Sequence, residues 1–439
     1  MKPVKTLCCT IMLGSTLASG VASALTLEES VAFAIDYSPE VLGQYARYQS
    51  VIRQQDSIRG NYLPQVNLYG AIGQEQIWTS SDVDIDDNGT RSEIGLKVSQ
   101  LIFDGFATTS DIDRLGYEAE SERLTLISRS ENVALDVARI YLELLKAQTV
   151  LELTDRNVRE HEEIYADIED KVAKGLSSQS DLAQVAARVA TSKTSYISAL
   201  NNLSDLQAQY RTLVGRNVSG LTSPKFDQGL IPSSLAVAQK QAVENHPEIR
   251  AAIVDMDAAR KEMKREKGGY YPEVRLEGYA NRNDNVGGEL NGLDEDARIM
   301  LVVDYDLFNG FSTNANVEAS AWRAEEARAI RLRADREVRE GTELAWNAYS
   351  MLDQQLDLLK QNVDAAKIAE VGYLQQFNVG RRSLLDVLDS KVEVFLARQN
   401  YVNTLYDHSF AAYRLLNAMG ILTYALRVEH PQEWQEEAK

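Results

Sequence analysis

From Phe106 to Val172 no proline interrupts the chain, and apolar residues return every seven positions at Val137, Leu144, Leu151, Val158, Tyr165 and Val172. A companion seam holds Ile140, Ala147, Thr154, His161 and Ile168. A strict seven-residue repeat drifts against the helical turn, so this pattern predicts a long helix supercoiled against a partner. The period recurs at Leu352, Leu359, Ala366 and Tyr373, beside Leu356 and Val363. A helix of about 65 to 70 residues spans on the order of 100 Å, more than a compact domain needs. An ordinary coiled-coil dimer or bundle would show the same period. Each run stops at a glycine, Gly175 or Gly380, and Ala-, Leu- and Gln-rich sequence then continues to Gly215 or Gly420. Glycine just past the last periodic residue is a helix C-terminal signal, so two helical hairpins are expected.

Four short segments switch to a period of two. Val66, Leu68, Gly70 and Ile72 alternate with Asn67, Tyr69, Ala71 and Gly73; Val274, Leu276, Gly278 and Ala280 alternate with Arg275, Glu277, Tyr279 and Asn281. Ile94, Leu96 and Val98, and then Ile299, Leu301 and Val303, form the second segment of each pair. The expected strands are 65–78, 91–103, 273–283 and 298–308, each with one apolar face. Pro64 and Pro272 open the first strand of each pair, where loss of an N–H ends the preceding helix. Asp104-Gly105 and Asn309-Gly310 close the second, where an Asx-Gly pair suits a sharp return into helix. Polar, acidic connections from Thr79 to Thr90 and from Arg282 to Ala297 join the strands. A soluble hairpin resting on helices would alternate in the same way. Four strands cannot close a barrel, and open edges are not tolerated in lipid, so a membrane reading requires several subunits to share one barrel. Three copies would supply twelve strands.

The two halves are copies. Thr26, Leu27, Ala34, Pro39, Glu40 and Val41 meet Ser234, Leu235, Ala242, Pro247, Glu248 and Ile249 at an offset of 208. Beyond the strands the offset is 205, where Phe103, Gly105, Phe106, Gly175, Asp181 and Gly215 meet Phe308, Gly310, Phe311, Gly380, Asp386 and Gly420. The change of three falls between the blocks, where a loop absorbs it. The expected organisation is a first repeat over 25–232, a second over 233–424 and a short acidic tail over 425–439.

Residues 1–24 carry Lys2 and Lys5, an apolar stretch from Leu7 to Val21, and Ala22-Ser23-Ala24. This order reads as a signal peptide cleaved before Leu25 rather than as a membrane anchor, because the stretch is short and ends in small residues. Both cysteines, Cys8 and Cys9, lie inside it. No disulfide, thiol-ligated metal or lipid-anchor cysteine is then expected in the mature chain. Loss of the two lysines takes the formal charge from −19 to −21, which disfavours nucleic acid as a partner.

The order of short helix, proline-started strand, acidic loop, strand ending in Leu101-Ile102-Phe103-Asp104-Gly105-Phe106, long helix, glycine tip and return helix, run twice, resembles the TolC family of outer-membrane ducts. The segment from Phe377 to Asp389 is similar to that family's second periplasmic tip. The resemblance implies a mainly α fold with a small β part. Long coiled-coil hairpins would build a periplasmic tunnel, and four strands per protomer would enter a twelve-stranded trimeric barrel in the outer membrane. It also implies a homotrimer working with a periplasmic adaptor and an inner-membrane ABC or other transporter. Asp386 and Asp389 fall where the family's carboxylates line the closed entrance. Arg382 falls on the basic residue that ties one hairpin to its neighbour, with Ser180 and Asp181 on the facing side. Phe377 departs from the usual tyrosine, and Arg381 adds a cation beside it.

Physics bears on the same residues. In a threefold assembly Asp386 and Asp389 become six carboxylates around a narrow axis, which repel one another and favour cations. A charge-assisted contact from Arg382 to Asp181 is a candidate latch. Asp181 and Asp386 would equally serve as caps after a glycine turn. Other motifs carry less. Asp84 to Asn88 begins like a calcium loop, but its twelfth position is Gly95 where a bidentate Glu is required. His161, His246, His408 and His430 lack ligand spacing, and His161 sits in a packed seam. No nucleophile elbow or phosphate loop is present, so catalysis, cofactors and metals are not expected. The expected activity is passive conduction of a polypeptide in type I secretion. Small-molecule efflux through the same architecture is the alternative, and a soluble periplasmic coiled-coil scaffold is the competing class.

Overall fold

The computed structural model describes residues 25–79, 85–218, 220–284 and 293–434. The expected signal peptide, Asp84 of the calcium-like motif, the centres of both inter-strand connections and the last five tail residues lie outside the described residues. The elements run α1 (Leu27–Tyr37), α2 (Pro39–Arg59), β1 (Gln65–Thr79), β2 (Ile85–Phe103), α3 (Ala107–Ala173), α4 (Gln179–Val214), α5 (Leu235–Asn245) and α6 (Pro247–Lys267). They continue with β3 (Glu273–Asp284), β4 (Leu293–Asp304), α7 (Ser312–Asn378), α8 (Leu384–Ala418) and a one-turn α9 (Leu422–Ala425). Helices α3 and α7 each have 67 residues, and at ~1.5 Å per residue each is about 100 Å long.

The heptad seam explains α3. Ile140, Ala147, Thr154, His161 and Ile168 are all buried, as are Val137 and Leu144. His161 sits in that seam with its Nδ1 2.8 Å from the carbonyl of Asn157, a packed histidine rather than a ligand. Around the upper half of α3 the main core gathers α1, α4, α8 and the C-terminal segment. Buried polar groups there are satisfied: the Tyr210 hydroxyl lies 2.8 Å from that of Ser30, and the Tyr141 hydroxyl accepts from the N–H of Thr222 at 3.0 Å. Glu131, buried in mid-α3, accepts from the N–H groups of Leu422 at 2.8 Å and Thr423 at 3.0 Å and from the Thr423 hydroxyl. It thereby caps α9 from a distant part of the chain. The segment expected as an acidic tail therefore begins as packed structure. Leu426 and Trp434 are buried, and the Trp434 carbonyl accepts from Arg123 at 3.2 Å.

The strands form one antiparallel sheet in the order β1-β2-β3-β4. Two boundaries differ from expectation. Strand β2 starts at Ile85 rather than near 91, because β1 reaches Thr79 and pairs with it there. The calcium-like positions Asp86 to Asn88 are thus extended ladder residues. Strand β4 runs 293–304 rather than 298–308, since β3 begins at Glu273 opposite Asp304 and leaves 305–308 nothing to pair with in the chain. Strand β2 reaches Phe103 because β3 lies on its other side, with a register shift between Leu101 and Phe103.

Each return from strand to helix uses two consecutive left-handed residues, Gly105-Phe106 and Gly310-Phe311, with φ of 65° and 66°, then 66° and 63°. A phenylalanine in this region costs on the order of 1 kcal/mol. Edge-on contacts offset it, with Phe103 and Phe106 at 5.3 Å and Phe308 and Phe311 at 5.4 Å between ring centres. Asp104 then accepts from the N–H of Thr108 at 2.7 Å, which fixes the first turn of α3.

Candidate functional site

Two sites stand at opposite ends of the long helices. At the far end, both hairpin tips close in the same way. After α3, the N–H of Gly175 donates to Val172 at 3.0 Å and that of Leu176 to Lys171 at 2.7 Å. After α7, Gly380 donates to Phe377 at 2.9 Å and Arg381 to Gln376 at 2.8 Å. This pattern needs a left-handed residue, and the φ values of 73° and 75° at Gly175 and Gly380 supply it. Neither glycine would bring a Cβ within 4 Å of another atom, so backbone conformation alone selects glycine there.

The return helices open with matching capping boxes, Ser178 with Asp181 and Ser383 with Asp386. Asp181 also accepts from the Ser177 hydroxyl at 2.9 Å. Its carboxyl is held below the usual range, first by the backbone N–H of Ser178 and then by the serine hydroxyls. Asp386 is lowered likewise, first by the Ser383 side chain, then by the Ser383 N–H, with Arg382 contributing less. Both aspartates therefore stay anionic well below neutral pH. The capping reading and the charged-ring reading are compatible, because a capping carboxylate keeps its charge.

Arg382 folds back on its own hairpin. Its Nε donates to Gln376 Oε1 at 3.0 Å, its Nη1 lies 3.5 Å from Asp386, and its guanidinium stacks 4.1 Å from the centre of the Tyr373 ring. Within the chain it does not pair with Asp181, and Ser180 is exposed at the second position of α4. Phe377 packs into an apolar cluster of Ile168, Val185, Leu384 and Leu388 that joins the two tips, and Lys171 stands 5.2 Å over its ring.

Sequence reasoning missed two charged contacts here. Asp389 pairs with Arg188 at 2.7 Å, tying α8 to α4. Lys391, largely covered, reaches Glu370 at 2.6 Å and Glu160 at 3.1 Å, joining α8 to α7 and α3. Burial opposes its charge, but Glu370 and then Glu160 hold its pKa above the ordinary value. The repeat could not reveal these pairs, since it sets Asp389 against Gln184, Arg188 against Glu393 and Lys391 against Ala186.

At the other end the sheet has two chemically distinct faces. Val66, Leu68 and Ile72 on β1, Ile94 and Leu96 on β2, Leu276 on β3 and Ile299, Leu301 and Val303 on β4 share one face, and all are exposed, Ile72 and Ile299 at 80%. The opposite face is a polar network. Lys97 pairs with Glu277 at 3.1 Å, and Arg91 with Glu75 at 2.8 Å and with Glu93. Lys97 and Arg298 flank the Tyr279 ring at 5.1 and 4.9 Å. The Tyr69 hydroxyl crosses β2 to donate to Asn281 at 3.0 Å, which in turn donates to Asp296 at 3.1 Å. That crossing requires Gly95, where a Cβ would lie 2.3 Å from the tyrosine ring. Pro64, Pro272, Gly105 and Gly310 mark the lower rim of this sheet, with Tyr62, Tyr270, Tyr271 and Phe308 exposed beside them. An outward apolar band, an inward polar face and a rim of aromatics are what a lipid-embedded barrel wall needs.

The comparisons agree with this arrangement. The sequence profile of the family described as "Outer membrane efflux protein" matches residues 34–216 and 238–421. The chain is 24% identical to the outer membrane efflux protein BepC of Brucella suis over 77% of its length and 74% of that protein's. It is 24% identical to the outer membrane protein TolC of Vibrio cholerae over 93% of both. Among solved structures, CusC superposes with a TM-score of 0.80 at 14% identity, covering 90% of this chain and 92% of that one, a likeness of fold.

Proposed function

Because the chain belongs to the outer membrane efflux protein family, we propose that it is the exit duct of a tripartite export system, conducting substrate passively from an inner-membrane transporter and its adaptor. It is an outer-membrane protein that extends into the periplasm. The observation that carries the reading is the sheet. It has two open edges and a bare apolar face, and it stands on hairpins long enough to reach far below a bilayer. Open edges are too costly in lipid to remain unpaired, so identical neighbours must supply the missing strands. Three copies give a twelve-stranded barrel, and the hairpins beneath continue the same axis as a tunnel.

At the tips the assembly brings three copies of Asp386 and Asp389 together. Their mutual repulsion favours an open iris and attracts cations, while the Asp389 pair with Arg188 tempers it. Arg382 is the latch: it rests on Asp386 in the single chain, and exchange of that carboxylate for Asp181 of a neighbouring hairpin would tie adjacent tips. Both carboxylates are held in place by capping serines, so the exchange moves Arg382, which would leave Gln376 and the Tyr373 ring. Asp386→Asn with Asp389→Asn, which preserves the caps, is expected to weaken cation preference and block by multivalent cations in planar bilayers. Arg382→Ser is expected to raise the open fraction. Unchanged conductance in the first variant removes the ring assignment, and an unchanged open fraction in the second removes the latch.

For cargo, the finer proposal is an exported polypeptide, which the likeness to the alkaline protease secretion protein AprF of Pseudomonas aeruginosa favours, 22% identical over 68% of this chain. The likeness to the solvent efflux pump outer membrane protein SrpC of Pseudomonas putida, 24% identical over 66% of this chain, favours the second reading, small-molecule efflux. Deletion of the gene separates them. Loss of a secreted polypeptide with unchanged susceptibility to toxic compounds supports the first, and the converse supports the second.

A further inference from the structure

The end of α9 breaks a rule that the long helices keep. Helices α3, α7 and α8 close with the same pair of backbone bonds around a left-handed glycine, Gly175, Gly380 and Gly420, at φ of 73°, 75° and 71°. The pair recurs after α9, where the N–H of Val428 donates to Thr423 and that of Arg427 to Tyr424, each at 3.0 Å. Here, however, the left-handed position is Arg427, at a φ of 55°. A side chain there costs on the order of 1 kcal/mol that glycine would avoid. Nothing in the chain offsets it, since the Arg427 guanidinium is exposed and has neither a hydrogen bond nor an ion pair among the described residues. Strain kept where glycine is the structural choice points to a use for the side chain.

Arg427 lines a cavity of about 800 Å³ between the first turn of α1, the linker from α4 to α5 and the segment after α9. Elsewhere the surface pairs opposite charges at short range, as Arg47 does with Glu122 and Lys193 with Glu162, both at 2.7 Å. In this cavity Arg427 and Lys225 share the walls with Glu28, Asp227 and Glu429, and none of them has an ion-pair partner among the described residues. Asp227 accepts from the N–H of Gly229 at 2.9 Å, which holds its carboxylate on its own turn. Tyr424, 74% exposed, adds a flat apolar face beside these charges. Charges of both signs held apart across a cleft suit an occupant that carries both and bridges them.

We infer that this cavity binds a short peptide bearing free carboxylates and a free ammonium group, the chemistry of the peptide stems on cell-wall glycan, and thereby ties the duct to the wall. Arg427 takes one carboxylate through two parallel N–H bonds, and Lys225 takes a second as a point charge. Glu28, Asp227 and Glu429 receive the ammonium group, and the Tyr424 ring packs against the sugar that carries the stem. The cavity lies within the ~300 to 1,000 Å³ range of small-ligand sites. Its height fits as well. Glu131, which accepts from the N–H groups of Leu422 and Thr423 at the start of α9, lies about 36 Å down α3 from the sheet at ~1.5 Å per residue. That level is in the periplasm, where the wall presents such stems at fixed positions. The inference goes beyond conduction and is independent of what the duct carries.

The test uses the full-length protein, purified from the outer membrane in detergent and sedimented with purified cell-wall sacculi. Wild type is expected to pellet with the sacculi. Arg427→Gly should lower the bound fraction about tenfold while its unfolding midpoint equals or exceeds that of wild type, because glycine relieves the strain. That combination separates a binding role from a structural one. Lys225→Glu should also lower binding about tenfold, whereas Lys240→Glu, on α5 and outside the cavity, should leave it within about twofold. The free stem tripeptide L-alanyl-γ-D-glutamyl-meso-diaminopimelate, which carries both charges, should compete, and a glutamate tripeptide with a blocked amine should not. Equal pelleting of wild type and Arg427→Gly overturns the site. An equal fall in Lys240→Glu overturns it too, by reducing the binding to general charge attraction. Competition by the blocked peptide overturns the need for both charges. Wild type that binds the free tripeptide but not sacculi overturns the wall as the source, and wild type that binds neither overturns the whole inference. A purified protein that forms no channels in planar bilayers overturns the proposed duct and leaves the binding result standing.

Discussion

Helices α3 and α7 have the same length and the same place in their repeats, yet they live in different surroundings. Helix α3 is wrapped by α2, α4, α6 and α8, and buries Leu124, Leu126, Val137, Tyr141 and Leu144. Helix α7 packs on α5, α6 and α8 and leaves Trp322, Leu344, Met351, Leu358, Ile368 and Val371 bare, Trp322 at 76%. Leu344, Met351 and Leu358 are themselves spaced by seven. A heptad stripe that faces water in one chain is a stripe waiting for a helix from another. Equivalent positions thus give an internal core in one repeat and an exposed apolar stripe in the other.

The largest expected difference is in packing. Leu144→Ala should cost about 4 kcal/mol, seen as a fall in the unfolding midpoint of the protomer in detergent. Leu358→Ala should change protomer stability by no more than about 0.5 kcal/mol and instead shift the trimer–monomer balance. Equal losses in the protomer would end the distinction. Next comes the buried charge. Glu131→Leu strands the N–H groups of Leu422 and Thr423 and should cost about 3 kcal/mol, releasing the C-terminal segment to proteolysis. Its counterpart Arg336 is exposed on α7, and Arg336→Leu should leave the same segment protected.

The smallest effect separates the repeats by pH. His246 occupies the N-cap of α6, where its Nδ1 accepts from the N–H of Glu248 at 3.3 Å, and burial lowers its pKa to about 4. Its counterpart before α2 is Ser38, which does not titrate. Since the unfolded histidine binds its proton near pH 6.5, the stabilisation is fully present above that value and is lost as pH falls from about 6.5 to about 4. With partial exposure taken into account the loss is about 2 kcal/mol, read from unfolding midpoints across that window. His246→Asn should flatten the profile. A profile that keeps its slope would assign it to another group.

Much of this molecule was legible because its signals are local and repeated. The heptad seams gave the long helices, Gly175 and Gly380 gave the tips, and period-two alternation gave the strands. Gly175 and Gly380 follow α3 and α7 with positive φ, and Asp181 and Asp386 sit at the third position of capping boxes, as a Ser-x-x-Asp spacing allows. Strand ends were less accessible. Ile85 to Thr90 look like acidic loop and yet pair, because a ladder depends on what lies opposite. Arg188 and Lys391 carried no mark at all, since their partners are brought near only when two hairpins pack.

The sequence by itself determined the elements, their order and their doubling, since each follows from periodicity, glycine geometry or a cap acting over a few residues. Tertiary structure alone decided which of two equally long helices, at equivalent places in their repeats, became core. It also decided which carboxylates found arginine or lysine partners, and that the chain's last segment folds back onto Glu131. These depend on free energies between residues distant in sequence, where burial removes water from a charge or an apolar stripe and the neighbour that replaces it is chosen by the fold.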